Sequence, residues 1–360
     1  MNGPPGSAEA VTRVLAEIVG GEAARSCVLR CDRAGSWTAT TSTPCRVFSL
    51  SADRAGVAAR EVVAADDDRL RLSRLLREPE RLAQRLGWLD GSALRCEVLS
   101  YRPGARVVVR VTRSGDGPCV YLKGLRRRAF ARAGVLRELR APSRRLALAL
   151  PTALWEDVHA LLVPSAPGDS LHGHLVAGHQ VDVRVIAEAL RELAGIPCPS
   201  TLPRRSFADE LASATKQLAL GATWLPQLGD LAQRVARCQE VPLGCSDLVH
   251  GDLHDKQLFV SADRVACIDL EGVSLGDARV DAVNLAEHFA LRAHQRGASD
   301  SSQAAELSLA LRLDPEDRDL RCLRAIVRAR LAGVYAMRPR WHALARELGE
   351  SARALLEERC

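Results

Sequence analysis

Aromatic residues are scarce in this 360-residue chain, in which Phe, Tyr and Trp together make up 4% of the sequence. Proteins that bind single-stranded nucleic acid stack the bases on aromatic side chains. The scarcity therefore argues against a nucleic-acid partner, although the formal net charge is +6. No aromatic residue interleaves the basic run Arg126–Arg128, which we interpret as a solvated helix face.

Long apolar runs and cysteine motifs are also missing. No stretch approaches the length of a membrane span, and the first ten residues, MNGPPGSAEA, lack the basic start and apolar core of a signal peptide. The eleven cysteines are scattered and form neither a CxxC pair nor a Cys/His cluster with zinc spacing. We therefore expect a cytoplasmic protein without membrane contact, whose thiols are reduced.

Lysine is the rarest of the charged residues, because only three of the 50 basic residues are lysines: Lys123, Lys216 and Lys256. Lysine and arginine are not interchangeable where one compact charge must meet a phosphate. Lys123 ends an apolar run, Cys119–Leu122, which favours a strand. Lys256 lies in a polar motif, where it is either a solvated loop residue or an additional phosphate contact.

That polar motif, HGDLHDKQLFVSADRVACID, runs from His250 to Asp269. Its polar loop is followed by two short apolar runs separated by Ser261–Arg264, a pattern that predicts a β-hairpin ending on a carboxylate. Kinases need such an arrangement, since one carboxylate accepts the proton of the attacking hydroxyl and another holds the magnesium that bridges the ATP phosphates. Asp252 and Asp269 are the candidates.

The order of the predicted elements indicates an α+β fold with two lobes. Apolar leucines at helical spacing predict a helix over Asp66–Leu86. Two strands, Leu94–Tyr101 and Arg106–Thr112, are joined by a turn, and a third strand carries Lys123. We expect the apolar runs Ala147–Leu150 and Ala160–Val163 to complete a small antiparallel sheet.

Beyond Pro164 the sequence is mainly helical, interrupted by the hairpin. We therefore divide the chain into three parts. Residues 1–90 form an N-terminal extension, disordered at its start and then mixed α/β, which we expect to pack on the small lobe. Residues 91–163 form the small β-rich lobe, and residues 164–360 form the large helical lobe with the catalytic loop and the acceptor site.

The segments HGDLHDKQ and IDLEGVSLGDARVDAVNLAEH, together with the earlier YRPG turn, resemble the aminoglycoside phosphotransferase family of the protein-kinase-like superfamily. The resemblance covers roughly residues 95–290. It implies a kinase-like fold that uses ATP and Mg²⁺. It further implies Asp252 as catalytic base, Asp269 as metal ligand, and Lys123 as the strand lysine that contacts the ATP phosphates and pairs with Glu138.

The same resemblance implies a hinge between the lobes at Leu161–Ser165. In that hinge Leu161, Val163 and Ser165 would contact the nucleotide, and backbone groups would hydrogen-bond adenine. The turn Arg102–Ala105 would lie over the phosphates, although it lacks the glycine-rich sequence of protein kinases.

The catalytic loop departs from the family at Gln257, where the family usually has an Asn that binds metal. Glutamine offers the same amide oxygen on a stem one methylene longer, so we retain it as a metal ligand, with Glu271 as an additional carboxylate. We interpret His250 as a residue that holds the loop and Asp281 as a brace of the loop and its neighbouring helix. Asp255 is expected on the loop surface.

The predicted function is transfer of the γ-phosphate of ATP to a hydroxyl of a sugar, an antibiotic or another natural product. One alternative is a kinase that phosphorylates Ser or Thr of a peptide during natural-product maturation, and another is a pseudokinase that binds nucleotide as a scaffold subunit. The positive net charge argues against polycationic aminoglycosides as acceptors. The extension is a candidate surface for a homodimer or another partner.

Overall fold

The computed structural model describes residues 8–21, 27–33, 36–40, 46–53, 56–88, 93–113, 119–140, 144–297 and 302–357. The fold is α+β, with an antiparallel sheet in the small lobe and a mainly helical large lobe, as predicted. The first ten residues, for which disorder was expected, lie largely outside the described part.

The extension begins with one helix and one antiparallel sheet. The sheet has the order β1-β2-β3-β4, and its apolar residues Leu29, Phe48 and Leu50 are buried. The bounds are α1 Ala8–Val19, β1 Val28–Arg33, β2 Ser36–Thr40, β3 Val47–Asp53 and β4 Gly56–Glu61.

This sheet packs on the large lobe, whereas we expected the extension to pack on the small one. Leu29 and Phe48 share a core with Trp224 and Met337 of the large lobe. The backbone N–H of Leu29 donates to the carbonyl oxygen of Met337 at 2.8 Å. This docking is favourable because it removes apolar side chains of both surfaces from water. The sequence of a strand shows that one of its faces is apolar, but it does not show which part of the protein covers that face.

The second half of the extension packs against the small lobe. The helix expected over Asp66–Leu86 is divided into α2, Leu72–Leu76, and α3, Pro79–Leu86. Pro79 explains the break, because proline is tolerated in the first turn of a helix but not in its interior. Leucines of both helices join the core beneath the small-lobe sheet.

The small-lobe sheet has five antiparallel strands in the order β5-β6-β7-β10-β9. Lys123 lies on the central strand, opposite Val108 on one side and Leu161 on the other. The bounds are β5 Leu94–Arg102, β6 Arg106–Arg113, β7 Cys119–Leu125, α4 Arg127–Ala133, β8 Leu146–Leu148, β9 Ala153–Trp155 and β10 Ala160–Pro164.

Strand β8 does not belong to this sheet, so the prediction for Ala147–Leu150 was wrong. It pairs in parallel with Val265–Cys267, the second strand of the catalytic hairpin. A three-residue apolar run fits either sheet, and its partner is set by contacts more than one hundred residues away in sequence. The strand therefore ties the small-lobe connection to the large lobe.

The large lobe surrounds the catalytic hairpin with helices. Helices α9 and α11 are the longest, and residues on most of their sides are buried. The bounds are β11 Asp169–Ser170, α5 Leu171–Ala177, α6 Val183–Ala194, α7 Phe207–Gly221, α8 Leu228–Ala236, β12 Asp247–Val249, β13 Leu258–Val260, β14 Val265–Cys267, β15 Ser274–Gly276, α9 Ala278–Gln295, α10 Ser302–Ala310, α11 Arg318–Ala336 and α12 His342–Glu357. Within the described ranges, no helix has the length and apolar character needed to cross a membrane.

Candidate active site

The catalytic loop is held by the start of α9. The carboxylate of Asp281 accepts hydrogen bonds from the backbone N–H groups of His250 (2.6 Å) and Gly251 (3.0 Å). The Nε2 atom of His250 lies 2.9 Å from the carbonyl oxygen of Ile268, which links the loop to the end of the hairpin. The structure thus confirms the predicted roles of His250 and Asp281 in holding the loop.

Gly251 gives the loop its turn immediately before Asp252. Its φ of +81° lies in the left-handed region, which costs other residues energy. A β-carbon at this position would stand 2.8 Å from Nη1 of Arg205. Glycine is therefore favoured here for its backbone conformation, and a β-carbon would displace the end of the Arg205 side chain.

Asp252 presents an accessible carboxylate. Its side chain is 66% exposed, and its Oδ1 atom lies 3.4 Å from Nη1 of Arg330, a buried residue of α11. Arg330 also donates to Asn284 at 2.6 Å, and Asn284 donates to the carbonyl oxygen of Leu253 at 2.6 Å. Sequence reasoning missed Arg330, because no local pattern joins residues 78 positions apart.

Asp269 ends the hairpin in the left-handed conformation, with φ +65° and ψ 40°. Aspartate adopts this region more readily than most residues. The turn brings two carboxylates to one lysine, since Nζ of Lys123 lies 2.9 Å from Oδ1 of Asp269 and 2.8 Å from Oε1 of Glu271. The strand of the small lobe is thereby joined to the hairpin of the large lobe.

Because these side chains are buried together, each one shifts the pKa of the others. Burial alone would lower the pKa of Lys123, but the carboxylates of Glu271 and Asp269 outweigh it and raise that pKa above its ordinary value. Burial would raise the pKa of Asp269, whereas Lys123 and Arg106 hold it well below its usual range. Burial, with the nearby charge of Asp269, raises the pKa of Glu271. Asp269 is thus the ionised partner of a protonated lysine.

Glu138 is not brought to this group. It is exposed and follows the short 3₁₀ helix Gly134–Arg137, since helix α4 ends before it at Ala133. In the described part of the chain, the carboxylates that contact Lys123 are those of Asp269 and Glu271. The expected pairing of Lys123 with Glu138 is therefore corrected, and Glu271 takes the place assigned to Glu138.

Gln257 lies near the hairpin but is turned back on its own loop. It is buried, and its Oε1 atom accepts a hydrogen bond from the backbone N–H of His254 at 3.2 Å. The Nδ1 atom of His254 in turn accepts from the N–H of Lys256 at 3.2 Å. The amide oxygen that would bind a metal is thus engaged in capping the 3₁₀ turn Asp255–Gln257.

Asp255 is fully buried, which corrects its expected place on the loop surface. Its carboxylate pairs with Arg292 of α9 at 2.7 and 3.1 Å and with His172 of α5 at 2.5 Å. Burial would raise the pKa of Asp255, but these partners hold it far below its ordinary value. Burial and the neighbouring His288 lower the pKa of His254 to about 2, so its ring is neutral.

The turn Arg102–Ala105 is anchored by a residue of the extension. The buried carboxylate of Asp67 accepts a hydrogen bond from Tyr101 Oη at 2.8 Å and another from the backbone N–H of Gly104. Gly104 has φ +60°, and its carbonyl oxygen accepts from Nε of Arg126. Hydrogen bonds with side chains thus fix this turn, which lacks the glycine-rich sequence of protein kinases.

The predicted hinge is divided between the sheet and the chain beyond it. Leu161 and Val163 lie opposite Lys123 and Tyr121 in the ladder between β7 and β10, so their backbone groups belong to the sheet. Ser165 follows the strand, is exposed, and donates from Oγ to the carbonyl oxygen of Cys119 at 3.1 Å. Only the part of the hinge from Ser165 onward has its backbone outside the sheet.

A cleft of about 480 Å³ opens beside Asp252 on the large lobe. Its walls come from the catalytic loop, α7, α9 and α11, with one residue each from β1 and β5. The lining residues are Val28, Arg102, Arg205, Ser213, Gln217, Gly251, Asp252, His254, Lys256, His288, Arg292, Arg330, Leu331, Val334, Tyr335, Met337 and Arg338.

Comparison with known proteins places this geometry in context. The sequence model of the phosphotransferase enzyme family matches residues 89–326. No curated protein matches the chain. Choline kinase from Cryptosporidium parvum Iowa II superposes with a TM-score of 0.51 at 9% identity, covering 79% of this chain and 96% of that one.

Aminoglycoside phosphotransferase APH(4)-Ia superposes with a TM-score of 0.50 at 15% identity, covering 79% of this chain and 99% of that one. A thermostable mutant of the same enzyme, in a ternary complex with AMP-PNP and hygromycin B, has a TM-score of 0.50 at 14% identity, with coverage of 78% and 97%. At these identities the likenesses show a shared fold.

Proposed function

Since the chain belongs to the phosphotransferase enzyme family, we propose that it transfers the γ-phosphoryl group of ATP, with Mg²⁺, to a hydroxyl of a small molecule. The observation that carries this proposal is the contact of Lys123 with Asp269 at 2.9 Å, across the two lobes. It brings a buried cation of the small lobe to a carboxylate at the hairpin's end, in the same loop system as Asp252.

In this proposal Asp252 is the proton acceptor. The acceptor oxygen forms a bond to the γ-phosphorus, the bond from that phosphorus to the β–γ bridging oxygen breaks, and ADP leaves. The hydroxyl proton passes to the carboxylate of Asp252, whose exposure leaves it accessible to an acceptor in the cleft. Arg330, 3.4 Å away, orients that carboxylate.

The residues at the hairpin's end fit a hard cation. Asp269 and Glu271 supply carboxylate oxygens, which together with phosphate oxygens and water suit Mg²⁺. Asp269 would hold the ion, which when bound neutralises charge on the phosphates. Gln257 would join it only after releasing the N–H of His254. Lys123 would contact the phosphates.

For adenine we propose the backbone after β10, beginning at Ser165. Leu161 and Val163 are buried within the sheet and would support the pocket through packing. The ternary complex of the APH(4)-Ia mutant contains AMP-PNP, which supports a nucleotide site in this fold. We further propose that the protein works in the cytoplasm.

A second candidate, a pseudokinase that binds nucleotide without transfer, is favoured by one observation. The amide oxygen of Gln257 accepts a hydrogen bond from its own loop, so this predicted metal ligand is already engaged. Lys123, Asp252 and Asp269 are all present, which supports the catalytic proposal over this one.

The test measures nucleotide binding and transfer separately. The thermal unfolding midpoint of the full chain is recorded with ATP alone and with ATP and Mg²⁺, and ADP formation is followed with a panel of sugars, aminoglycosides and Ser/Thr peptides. Metal-dependent stabilisation together with acceptor-dependent ADP formation is expected. Stabilisation without ADP formation by any acceptor supports the pseudokinase, and ADP formation only with peptides contradicts a small-molecule acceptor.

A further inference from the structure

The cleft beside Asp252 is lined by more basic than acidic side chains. Six lining residues are basic and one, Asp252, is acidic. Two of the arginines have buried acidic partners, Arg205 with Glu210 and Arg292 with Asp255. Among the lining residues that the structure describes, basic side chains outnumber acidic ones even when the partners Glu210 and Asp255 are added to Asp252. The basic residues are Arg102, Arg205, Lys256, Arg292, Arg330 and Arg338.

Lys256 is the clearest member of this group. It lies in the catalytic loop and lines the cleft, and in the part of the chain that the structure describes it forms no ion pair. Arg292 and Arg338 line the same cleft, so Lys256 belongs to a surface on which a negative charge is favoured.

Arg338 is held in place beside Lys256. Its guanidinium stacks on the ring of Tyr335 at 4.7 Å, and Tyr335 is fixed in turn because its hydroxyl accepts from Arg292 at 2.9 Å. Five of the six basic residues of the cleft are arginines, which stay protonated at neutral pH, and Arg338 is preorganised by its stack on Tyr335.

We infer that the phosphate acceptor is itself an anion, a hydroxyl compound whose carboxylate or phosphate group binds to Lys256 and Arg338 while its hydroxyl faces Asp252. This inference rests on the proposed function, because it places the acceptor in the cleft next to the catalytic base. The carboxylate or phosphate would make charge-assisted hydrogen bonds with both residues. A polycationic acceptor would meet repulsion from the same walls.

The experiment compares ligands that share the glucose ring and differ in charge. The full chain is saturated with ADP and Mg²⁺, so that the nucleotide site is filled, and is titrated by calorimetry with glucose 6-phosphate, glucuronate, glucose and glucosamine. We expect at least one of the two anions to bind about tenfold or more tightly than glucose, and glucosamine to bind most weakly. Comparison of the two anions distinguishes phosphate from carboxylate.

Three variants test the role of Lys256. Lys256→Gln should reduce the preference for the anion about tenfold, whereas Lys256→Arg should retain most of it. Lys216→Gln is the control, because Lys216 is an exposed lysine of α7 that does not line the cleft. It should behave as the unaltered chain does.

The inference is overturned if neither anion binds more tightly than glucose, including the case in which none of the four binds. It is also overturned if Lys256→Gln leaves the preference unchanged. Failure of the proposed function gives a different result, in which ADP and Mg²⁺ do not bind. The four titrations on the nucleotide-free chain then still test the charge preference of the cleft.

Discussion

The two sides of the candidate active site differ in their balance of acidic and basic side chains. At the hairpin's end, two carboxylates surround one buried lysine, and acidic groups balance or exceed the basic ones. In the cleft on the other side of the catalytic loop, basic groups outnumber acidic ones. A short stretch of chain, from Asp252 to Asp269, borders both regions.

This difference indicates what each side can hold. Clustered carboxylates favour a divalent cation, and a lysine held among them is placed for phosphate. A basic cleft favours an anion. The chain's net charge of +6 therefore says less about acceptor choice than the local distribution does, since one protein contains both environments.

The largest predicted effects are those of replacing Asp252 and Asp269, and the two variants should differ in how they bind ATP and Mg²⁺. Asp252→Ala should lower kcat by about 10²–10⁴-fold, because a general base is lost, and should leave stabilisation by ATP and Mg²⁺ intact. Asp269→Ala should abolish transfer and also the Mg²⁺-dependent part of that stabilisation. Steady-state ADP formation and thermal unfolding midpoints measure the two quantities. If Asp252→Ala retained near-normal turnover, the assignment of the base would be wrong.

The next prediction concerns the buried pair beneath the cleft. Asp255→Asn removes the ionised partner of Arg292 and should lower the free energy of unfolding by about 3–5 kcal/mol, as for other broken buried pairs. Denaturant titration at pH 7 measures the change. Asp230→Asn is the control, since its pair with Arg234 is exposed and should contribute at most about 1 kcal/mol.

The same pair predicts a dependence on pH. The pKa of Asp255 is depressed in the folded chain, so its stabilisation is present at neutral pH and is lost as pH falls below about 4, the ordinary value of an aspartate. The stability gap between the unaltered chain and Asp255→Asn should therefore narrow on acidification. A gap that stays constant from pH 7 to pH 3 would contradict an ionised Asp255.

The sequence predicted the elements whose signals are local. The strands predicted over Leu94–Tyr101 and Arg106–Thr112 agree within one residue with β5 and β6, and the hairpin of β13 and β14 lies where its two apolar runs indicated. The resemblance carried by the motif after His250 is confirmed by the family match. The apolar patterns and the motif each lie within a few tens of residues. Over that distance, hydrophobic periodicity and turn-forming residues largely determine the local structure.

What the sequence could not predict depends on contacts distant along the chain. Glu138 is exposed beyond the 3₁₀ helix, whereas Glu271, two residues after the left-handed Asp269, lies 2.8 Å from Nζ of Lys123. Arg330 reaches Asp252 from the last third of the chain. Each of these depends on how helices and strands dock, which local propensity does not determine.

Gly251, at the boundary of the two regions, should show a smaller effect. Gly251→Ala forces an alanine to φ +81° and should cost about 1–2 kcal/mol of stability. Contact with Arg205 should also displace Asp252 and lower kcat. Gly87→Ala is the control, because it has φ +70° with nothing within 4 Å of its β-carbon. It should lose similar stability in denaturant titrations and keep its kcat, and equal kcat values for both variants would contradict the prediction.

The smallest predicted effect tests whether Gln257 binds the metal ion. Gln257→Asn shortens the side chain, so the amide oxygen no longer reaches the N–H of His254, and the lost hydrogen bond should cost about 1 kcal/mol of stability. The freed amide has the length usual in the family, so the Mg²⁺ concentration for half-maximal ADP formation should fall about threefold, a change of less than 1 kcal/mol in binding free energy. Magnesium titration at fixed ATP measures it. If half-saturation is unchanged while stability falls, Gln257 is a loop cap alone, and the metal is held by the carboxylates at the hairpin's end.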